Sequence, residues 1–445
     1  MRHQTTTKTL VQTNTRYGNM LYIQDDPTIG RALELYGEYC HIEIEAIKSL
    51  VTPTSWFVDV GANIGVHTVG VSPYVQRVIA IEPDLDNFDV LVKNCSGCGC
   101  DNVTTTRLAL GNQFGETSTQ FDYGKTALVT GGAGFIGSHM VDLLLEKKYK
   151  VYGLVRRVAL EDETHRLWRI KHLLNQIELN SASLESYASI VKIIQKIKPD
   201  EIYHLGAQSY VAYSFEDEFS TLNTNINGTH YILSAIKDFS PKSKFYFAGS
   251  SEMFGKVQKK LQDEKTRFYP RSAYGISKVA GFELTRNYRE AYKIFACSGI
   301  LFNHESPRRG FEFVTRKISS SVAKIKHGKQ KFLNLGNILA KRDWGHAKDY
   351  VEAMWLMLQQ KKPSDFVIGT GKMHSVKDFA KLAFSIVGLD YKKYIKFNKA
   401  LLRPAEVDTL RANYKKAKKI LKWKPKKNFN QLVKEMVNED LKFFK

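Results

Sequence analysis

Two stretches in the second half of the chain carry side chains that can move protons at a hydroxylated carbon. In FYPRSAYGISK, Tyr274 and Lys278 stand four residues apart. On a helix that spacing puts both on one face, where the ammonium favours the phenolate and depresses the tyrosine pKa. Such a tyrosine can take a proton from a hydroxyl while the carbon gives up a hydride to an acceptor held beside it. Upstream, SKFYFAGSSEMFG at 243 to 255 reads as a strand running into a polar loop that carries Ser250, Ser251 and Glu252. A Tyr–Lys pair alone is a common helix-face contact. It becomes informative only if the chain also builds a place for the acceptor.

That place is written at Lys125 to Arg157, KTALVTGGAGFIGSHMVDLLLEKKYKVYGLVRR. A short apolar β run leads into Gly131, Gly134 and Gly137 at GxxGxxG spacing, followed by helical periodicity over 138 to 146 and a second strand over 150 to 155. Glycines there let the backbone turn tightly and approach a pyrophosphate, whose charge rests at the helix N-terminus. The second strand ends in Arg156 and Arg157, where an NAD site usually has an acid, so the expected cofactor is NADP. Further strands opening into polar loops are expected at 201 to 209, 243 to 255 and 295 to 310, with a helix over 187 to 198 stopped by Pro199. The expected fold is α/β: a Rossmann-type doubly wound parallel sheet, whose ligands sit at the carboxyl edge of the strands. Past Asn303 a smaller substrate-binding lobe is expected to cover that edge.

Composition excludes several classes. No apolar run of the 445-residue chain approaches the ~20 residues of a membrane span, and MRHQTTTKTL lacks the apolar core of a signal peptide. A cytoplasmic protein with no membrane partner is expected. Five cysteines give no disulfide framework; Cys95, Cys98 and Cys100 crowd into NCSGCGCDN without a second zinc-type ligand pair, so no metal is expected. The formal charge of +21 gathers partly in lysines of the last stretch, such as NYKKAKKILKWKPKK, which alternate with apolar residues at helical spacing. That pattern reads as solvated helix faces, and no nucleic-acid module accompanies it.

The first quarter has a different character. WFVDVGANIGVHTVG at 56 to 70 is an apolar strand entering a glycine turn, and VIAIEPD at 78 to 84 is a second strand ending in an acid. This segment resembles the first half of class I S-adenosylmethionine-dependent methyltransferases of the FkbM type. The resemblance implies that Asp59, Gly61 and Gly65 shape the loop around the methionine part and that Glu82 binds ribose hydroxyls. It ends near residue 117, before the strands that complete such a sheet. Residues 1–123 are therefore expected to form an incomplete methyltransferase-like segment, and 124–445 a complete nucleotide-binding enzyme.

From Lys125 onward the chain resembles the extended short-chain dehydrogenase/reductase family. SSEMFGK, YPRSAYGISK, LFNHESPRRGFEFVTRKIS, LGNILAKRDWGHAKDYVEAMW and RPAEVD narrow the resemblance to the GDP-mannose 4,6-dehydratases within it. The implied activity is the conversion of GDP-mannose to a 4-dehydro-6-deoxy product plus water, with NADP recycled within each turnover, by a homo-oligomer. In the implied site Ser250 meets the sugar O4, Tyr274 is the base at O4, Lys278 holds the nicotinamide ribose, and Glu252 takes the C5 proton as the C6 hydroxyl leaves. Gly131, Gly134, Phe135, Ile136, Gly137, Arg156, Arg157, Leu205 and Ala207 are implied around the cofactor. Ser209, Ser251, Asn303, Lys317, Arg342, Arg403 and Glu406 are implied around the GDP-sugar. Two departures stand out: Ala182, Ser183 and Leu184 replace a Gly-Asp-Leu whose acid meets adenine, and GGAGFIG is the general loop of the extended family. A related dehydratase, reductase or epimerase, and a working methyltransferase, stay open as alternatives.

Overall fold

The computed structural model describes residues 9–108, 124–156, 167–402, 404, 405, 407 and 409–445. The chain divides into two compact units, Met1–Asp122 and Tyr123–Lys445.

The larger unit is built on seven parallel strands: β1 Lys125–Thr130, β2 Tyr149–Val155, β3 Glu178–Ser181, β4 Glu201–His204, β5 Lys244–Ser250, β6 Ala296–Leu301 and β7 Phe366–Ile368. Their spatial order is β7-β6-β5-β4-β1-β2-β3, so the chain reverses its direction of travel between β1 and β4. That switch point opens the crevice in which α/β sheets bind ligands. Helices α1 Phe135–Glu146, α2 Tyr187–Ile197, α3 Gly228–Phe239, α4 Ala273–Tyr292, α5 Val314–Lys326, α6 Ala347–Leu358, α7 Val376–Ile386 and α8 Phe429–Phe443 complete the main framework.

Because side chains alternate across a strand, each face of the sheet buries its own set. Leu128, Ile202, Phe245 and Phe247 form a core with Ile190 and Ile194 of α2 and Ile232 and Ile236 of α3. Ala127, Val129, Tyr203 and Tyr246 pack on the other side with Met140 and Leu144 of α1 and Val351 and Met354 of α6. Strands buried on both faces read as the continuous apolar runs seen in the sequence. A third core joins Ile318 and Val322 of α5, Phe379 and Phe384 of α7, and Val433 and Met436 of α8.

The region after Asn303 is not simply a lid. Its α6 packs on the main sheet, and β7 pairs in parallel with β6, Ile300 opposite Val367. The reason is local: FVI at 366 to 368 is a fully buried apolar triplet that completes the edge beside β6. The lysine-rich stretch near the C-terminus gives only a short helix, Lys415–Ile420, before α8 begins at Asn428, which caps it. No described helix is long and apolar enough to cross a membrane.

The smaller unit pairs an antiparallel hairpin, Leu10–Thr15 with Gly18–Ile23, with three parallel strands, Trp56–Val60, Arg77–Ile81 and Val103–Thr106. Its core gathers Met20 of the hairpin, Leu33 and Ile44 of two helices, and Val69, Val78, Ala80 and Leu91 around the strands. Three parallel strands are among its described residues. On one face of the edge strand, Trp56, Val58 and Val60 remain 59%, 51% and 59% exposed. Cys95 lies inside the helix Leu85–Gly97, with Cys98 at its C-cap and Gly99 turning the chain at φ +68°, so these cysteines end a helix.

Candidate active site

The catalytic candidates lie together because one strand end and one helix deliver them to one place. Ser250 closes β5, and its Oγ accepts the Glu252 N–H at 3.2 Å, starting the 3-10 turn Ser251–Met253 that carries the carboxylate. Helix α4 begins at Ser272, whose Oγ accepts the Gly275 N–H at 3.0 Å. Tyr274 and Lys278 therefore fall in its first turns, both buried against the sheet. Ser250, Ser251, Glu252, Tyr274 and Lys278 all line one cavity of about 820 Å³ at the carboxyl edge.

The electrostatics differ from the sequence expectation at the Tyr–Lys pair. Burial pushes the Tyr274 phenol up to about 12; the Ser250 hydroxyl and the Arg309 guanidinium pull it down, and the Glu252 carboxylate adds to the rise. Lys278 does not depress it. Its Nζ donates to the Ala248 carbonyl at 2.9 Å and stands 5.8 Å from the centre of the tyrosine ring. Burial also brings Lys278 down to about 8. Helical spacing alone cannot reveal either effect, because desolvation depends on what the sheet places around the pair.

The glycine loop forms a tight cradle on the same cavity. Gly131 turns at φ +69°, and a Cβ on Gly137 would lie 2.0 Å from the Gly131 carbonyl oxygen. Helix α1 starts at Gly134 with no side-chain cap, so its first N–H groups are left for an anion. Thr130 Oγ1 accepts from the backbone N–H groups of Leu205 and Gly206 at 3.1 and 3.0 Å and contacts His204 Nδ1 at 2.8 Å, tying the ends of β1 and β4 together. Gly131, Gly134, Phe135, Ile136, Gly137, Leu205 and Ala207 line the cavity. These features fit a dinucleotide with its pyrophosphate at α1. Arg156 follows the end of β2 and is exposed, outside the residues lining that cavity. Ser183 lies outside the lining too, its Oγ accepting the Glu185 N–H at 3.2 Å.

Among the residues implied for the sugar nucleotide, Ser209, Asn303, Lys317 and Arg342 line the cavity. Asn303 Oδ1 is buried without a hydrogen-bond partner among the described residues, and burial lowers the Lys317 ammonium below its ordinary value. Arg157, Arg403 and Glu406 lie outside the described residues. Among the lining residues that escaped the sequence reading are His304 and Arg309. His304 stacks on Phe135 with ring centres 5.8 Å apart, and burial takes it down to about 4, so it is a neutral imidazole. Arg309 stacks over Phe135 and Phe313 at 4.7 and 3.5 Å and approaches Glu305 to 3.2 Å. Both belong to NHESPRRG, and the signal was that an arginine follows four residues after an acid in a block already carrying Asn303.

Residues 128–436 match the family model for GDP-mannose 4,6 dehydratase. GDP-mannose 4,6 dehydratase 1 of Arabidopsis thaliana is 49% identical over 330 residues, covering 72% of this chain and 91% of the plant protein. The Homo sapiens GDP-mannose 4,6 dehydratase is 45% identical over 346 residues, covering 72% and 92%. Among solved structures, UDP-glucose 4-epimerase of Thermotoga maritima with UDP-glucose superposes with a TM-score of 0.64 at 26% identity, covering 72% of this chain and 100% of that one. RMD from Pseudomonas aeruginosa complexed with NADPH gives a TM-score of 0.59 at 22% identity, covering 72% and 99%, a likeness of fold. The matched residues contain the glycine loop, both candidate catalytic stretches and the cavity they line, and on the strength of these matches the chain belongs to the GDP-mannose 4,6-dehydratase family of hydro-lyases.

Proposed function

We propose that residues 124–445 convert GDP-mannose to GDP-4-dehydro-6-deoxy-mannose and water, using NADP that is regenerated in each turnover. The observation that carries this reading is Glu252, a carboxylate lining the same cavity as Tyr274, Lys278 and the glycine cradle. A simple reductase or epimerase has no use for a second proton acceptor there. NADP, when bound, supplies the acceptor that takes a hydride from C4 and returns it at C6.

The chain's own residues do the rest. As the phenolate, the form that burial disfavours and that Ser250 and Arg309 favour, Tyr274 receives the O4 proton, and Ser250 positions O4. Once C4 is a ketone the C5 proton is acidic; Glu252 removes it, the C6–O bond breaks, and the hydroxyl leaves with a proton as water. Asn303, with its unpartnered acceptor, and Lys317 and Arg342 hold the sugar nucleotide, the cations facing its diphosphate. His304 and Arg309 shape the floor between cofactor and sugar.

Preference for NADP rests on Arg156 at the end of β2, together with Arg157 in the sequence. A charge-assisted bond to the 2′-phosphate contributes about 1.5–3 kcal/mol, so Arg156→Ala should erode the NADP-over-NAD affinity ratio by roughly 10- to 100-fold. Calorimetric titration with both cofactors measures it; equal wild-type affinities sink the assignment. The enzyme is read as a homo-oligomer.

We read the smaller unit as an incomplete methyltransferase-like segment. Its support is a glycine loop after the first parallel strand, with Gly61 at φ +79° and Gly65 at φ +91°, and an acid after the second. Glu82 accepts the Asn63 and Asp84 N–H groups at 2.8 and 2.9 Å, and Asp59 accepts from Thr68 Oγ1 at 2.6 Å. Both carboxylates keep lone pairs for a ligand, so Asp59, Gly61, Gly65 and Glu82 are the residues that would hold S-adenosylmethionine. Equilibrium dialysis of the full chain with labelled S-adenosylmethionine tests that reading.

A further inference from the structure

The smaller unit brings a thiol, an imidazole and a carboxylate together. Helix His41–Leu50 opens on Cys40, which adopts φ 54°, ψ 32° and makes no side-chain cap bond. Helix starts ordinarily use an extended Ser, Thr, Asp or Asn whose oxygen accepts from the first turn. A cysteine there in the left-handed region satisfies no helix donor, and such backbone outliers gather at functional sites. The conformation leaves the free thiol beside Glu43, one turn along the same face. His67, the second residue of helix Val66–Val71, comes from the other side of the glycine loop and meets Glu43 with Nε2 and Oε2 3.1 Å apart. One ligand atom from each of Cys40, Glu43 and His67 lies within 4.8 Å of the other two.

We propose that Cys40, Glu43 and His67 bind one Zn²⁺ ion, with the fourth position left to water. A sulfur, a nitrogen and an oxygen donor suit a borderline ion such as zinc, whereas calcium and magnesium require oxygen ligands throughout. Zinc bonds of roughly 2.0–2.3 Å at tetrahedral angles set ligand atoms about 3.5 Å apart; the Glu43–His67 pair, at 3.1 Å, is already that close, and no pair of the three exceeds 4.8 Å. Cys40 and His67 are half-buried and Glu43 is exposed, which leaves the ion a path from solvent. On binding, the Cys40 thiol gives its proton to the buffer and a thiolate–zinc bond forms. The ion would tie the helix His41–Leu50 to the segment just after Gly65, and so brace the glycine loop from outside.

Co²⁺ serves as the spectroscopic probe, added to the full-length protein after chelation. The expected result is one equivalent bound, with a thiolate-to-cobalt charge-transfer band and the intense visible bands of a tetrahedral ion, all displaced by Zn²⁺. Cys40→Ser should remove the charge-transfer band. Glu43→Gln and His67→Gln should each weaken binding at least about tenfold. Cys98→Ser with Cys100→Ser should leave the spectrum unchanged. Glu43 is exposed, so its variant is expected to keep the wild-type circular dichroism and reads the site without a folding defect. The proposal is overturned if the folded protein takes up no stoichiometric Co²⁺, if the band survives in Cys40→Ser, or if Glu43→Gln and His67→Gln bind as tightly as wild type.

Discussion

On the proposed mechanism Glu252 is the residue that takes the C5 proton. It sits half-buried in the turn after β5, facing the phenol whose pKa it raises. Glu252→Gln keeps the size and polarity but cannot accept the C5 proton, so product formation should fall by about 10²- to 10⁴-fold with cofactor and GDP-mannose affinities nearly intact. Steady-state turnover and calorimetry check this, and turnover within about threefold of wild type would remove Glu252 from the mechanism. Lys278 makes a different prediction. Its folded pKa of about 8 lies below the ordinary 10.5, so the fold disfavours its charge wherever the unfolded chain is protonated. Stability therefore rises with pH between about 8 and 10.5, and the full cost is present below 8. Lys278→Met should abolish turnover yet stabilise the protein at pH 7 by about 1–2 kcal/mol, the removed charge outweighing the lost bond to Ala248. That gain should shrink above pH 8 in denaturant titrations; a gain that grows with pH would contradict the assignment. Motif and spacing pointed to Ser250, Glu252, Tyr274 and Lys278, and all four line one cavity. The rise in the Tyr274 pKa was not legible in the sequence, because it comes from burial, with Glu252 adding to it and Ser250 and Arg309 opposing it.

At the scale of elements, the turn between β1 and α1 leaves no room for a side chain at Gly137. A Cβ at Gly137 would meet the backbone of Gly131 and Gly132, at 2.0 Å from the Gly131 oxygen and 2.9 Å from the Gly132 Cα, and none of these atoms can move without opening the loop. Gly137→Ala should cost about 1–3 kcal/mol of stability and weaken dinucleotide binding more than GDP-mannose binding. Thermal melts with and without each ligand separate the two effects, and a variant with wild-type cofactor affinity would show that the cradle does not face the pyrophosphate. The β1–α1–β2 unit was readable because an apolar run, spaced glycines and helical periodicity agree. What followed Asn303 was less so. A three-residue strand such as β7 carries too few residues for a period, and its place beside β6 is fixed only by long-range pairing. The lysine-rich stretch after Tyr414 kept its alternation but not a long helix, since Pro425 and the cap at Asn428 divide it.

Among the described residues, one unit carries a seven-stranded parallel sheet with its own cores and the other three parallel strands and a hairpin. A chain beginning at Gly124 should therefore fold and keep its dehydratase turnover within about twofold, because β1 pairs on both sides with strands of its own unit. An insoluble or inactive product would show that the first 123 residues are part of the enzyme. Family membership was legible from long blocks such as NHESPRRG and KRDWGHAKDY, which draw loops and strands of the substrate lobe to one cavity. The character of the first quarter was legible only as a glycine turn and an acid after successive strands, a pattern that many cofactor sites share. The central claim is that one cavity oxidises, dehydrates and reduces a single sugar, and it is tested by mass spectrometry of GDP-mannose incubated with the full-length protein and catalytic NADP. The expected product is lighter by one water, with no accumulation of reduced cofactor. GDP-mannose recovered unchanged, converted to an isomer of equal mass, or lighter by two hydrogens with stoichiometric reduced cofactor would contradict it.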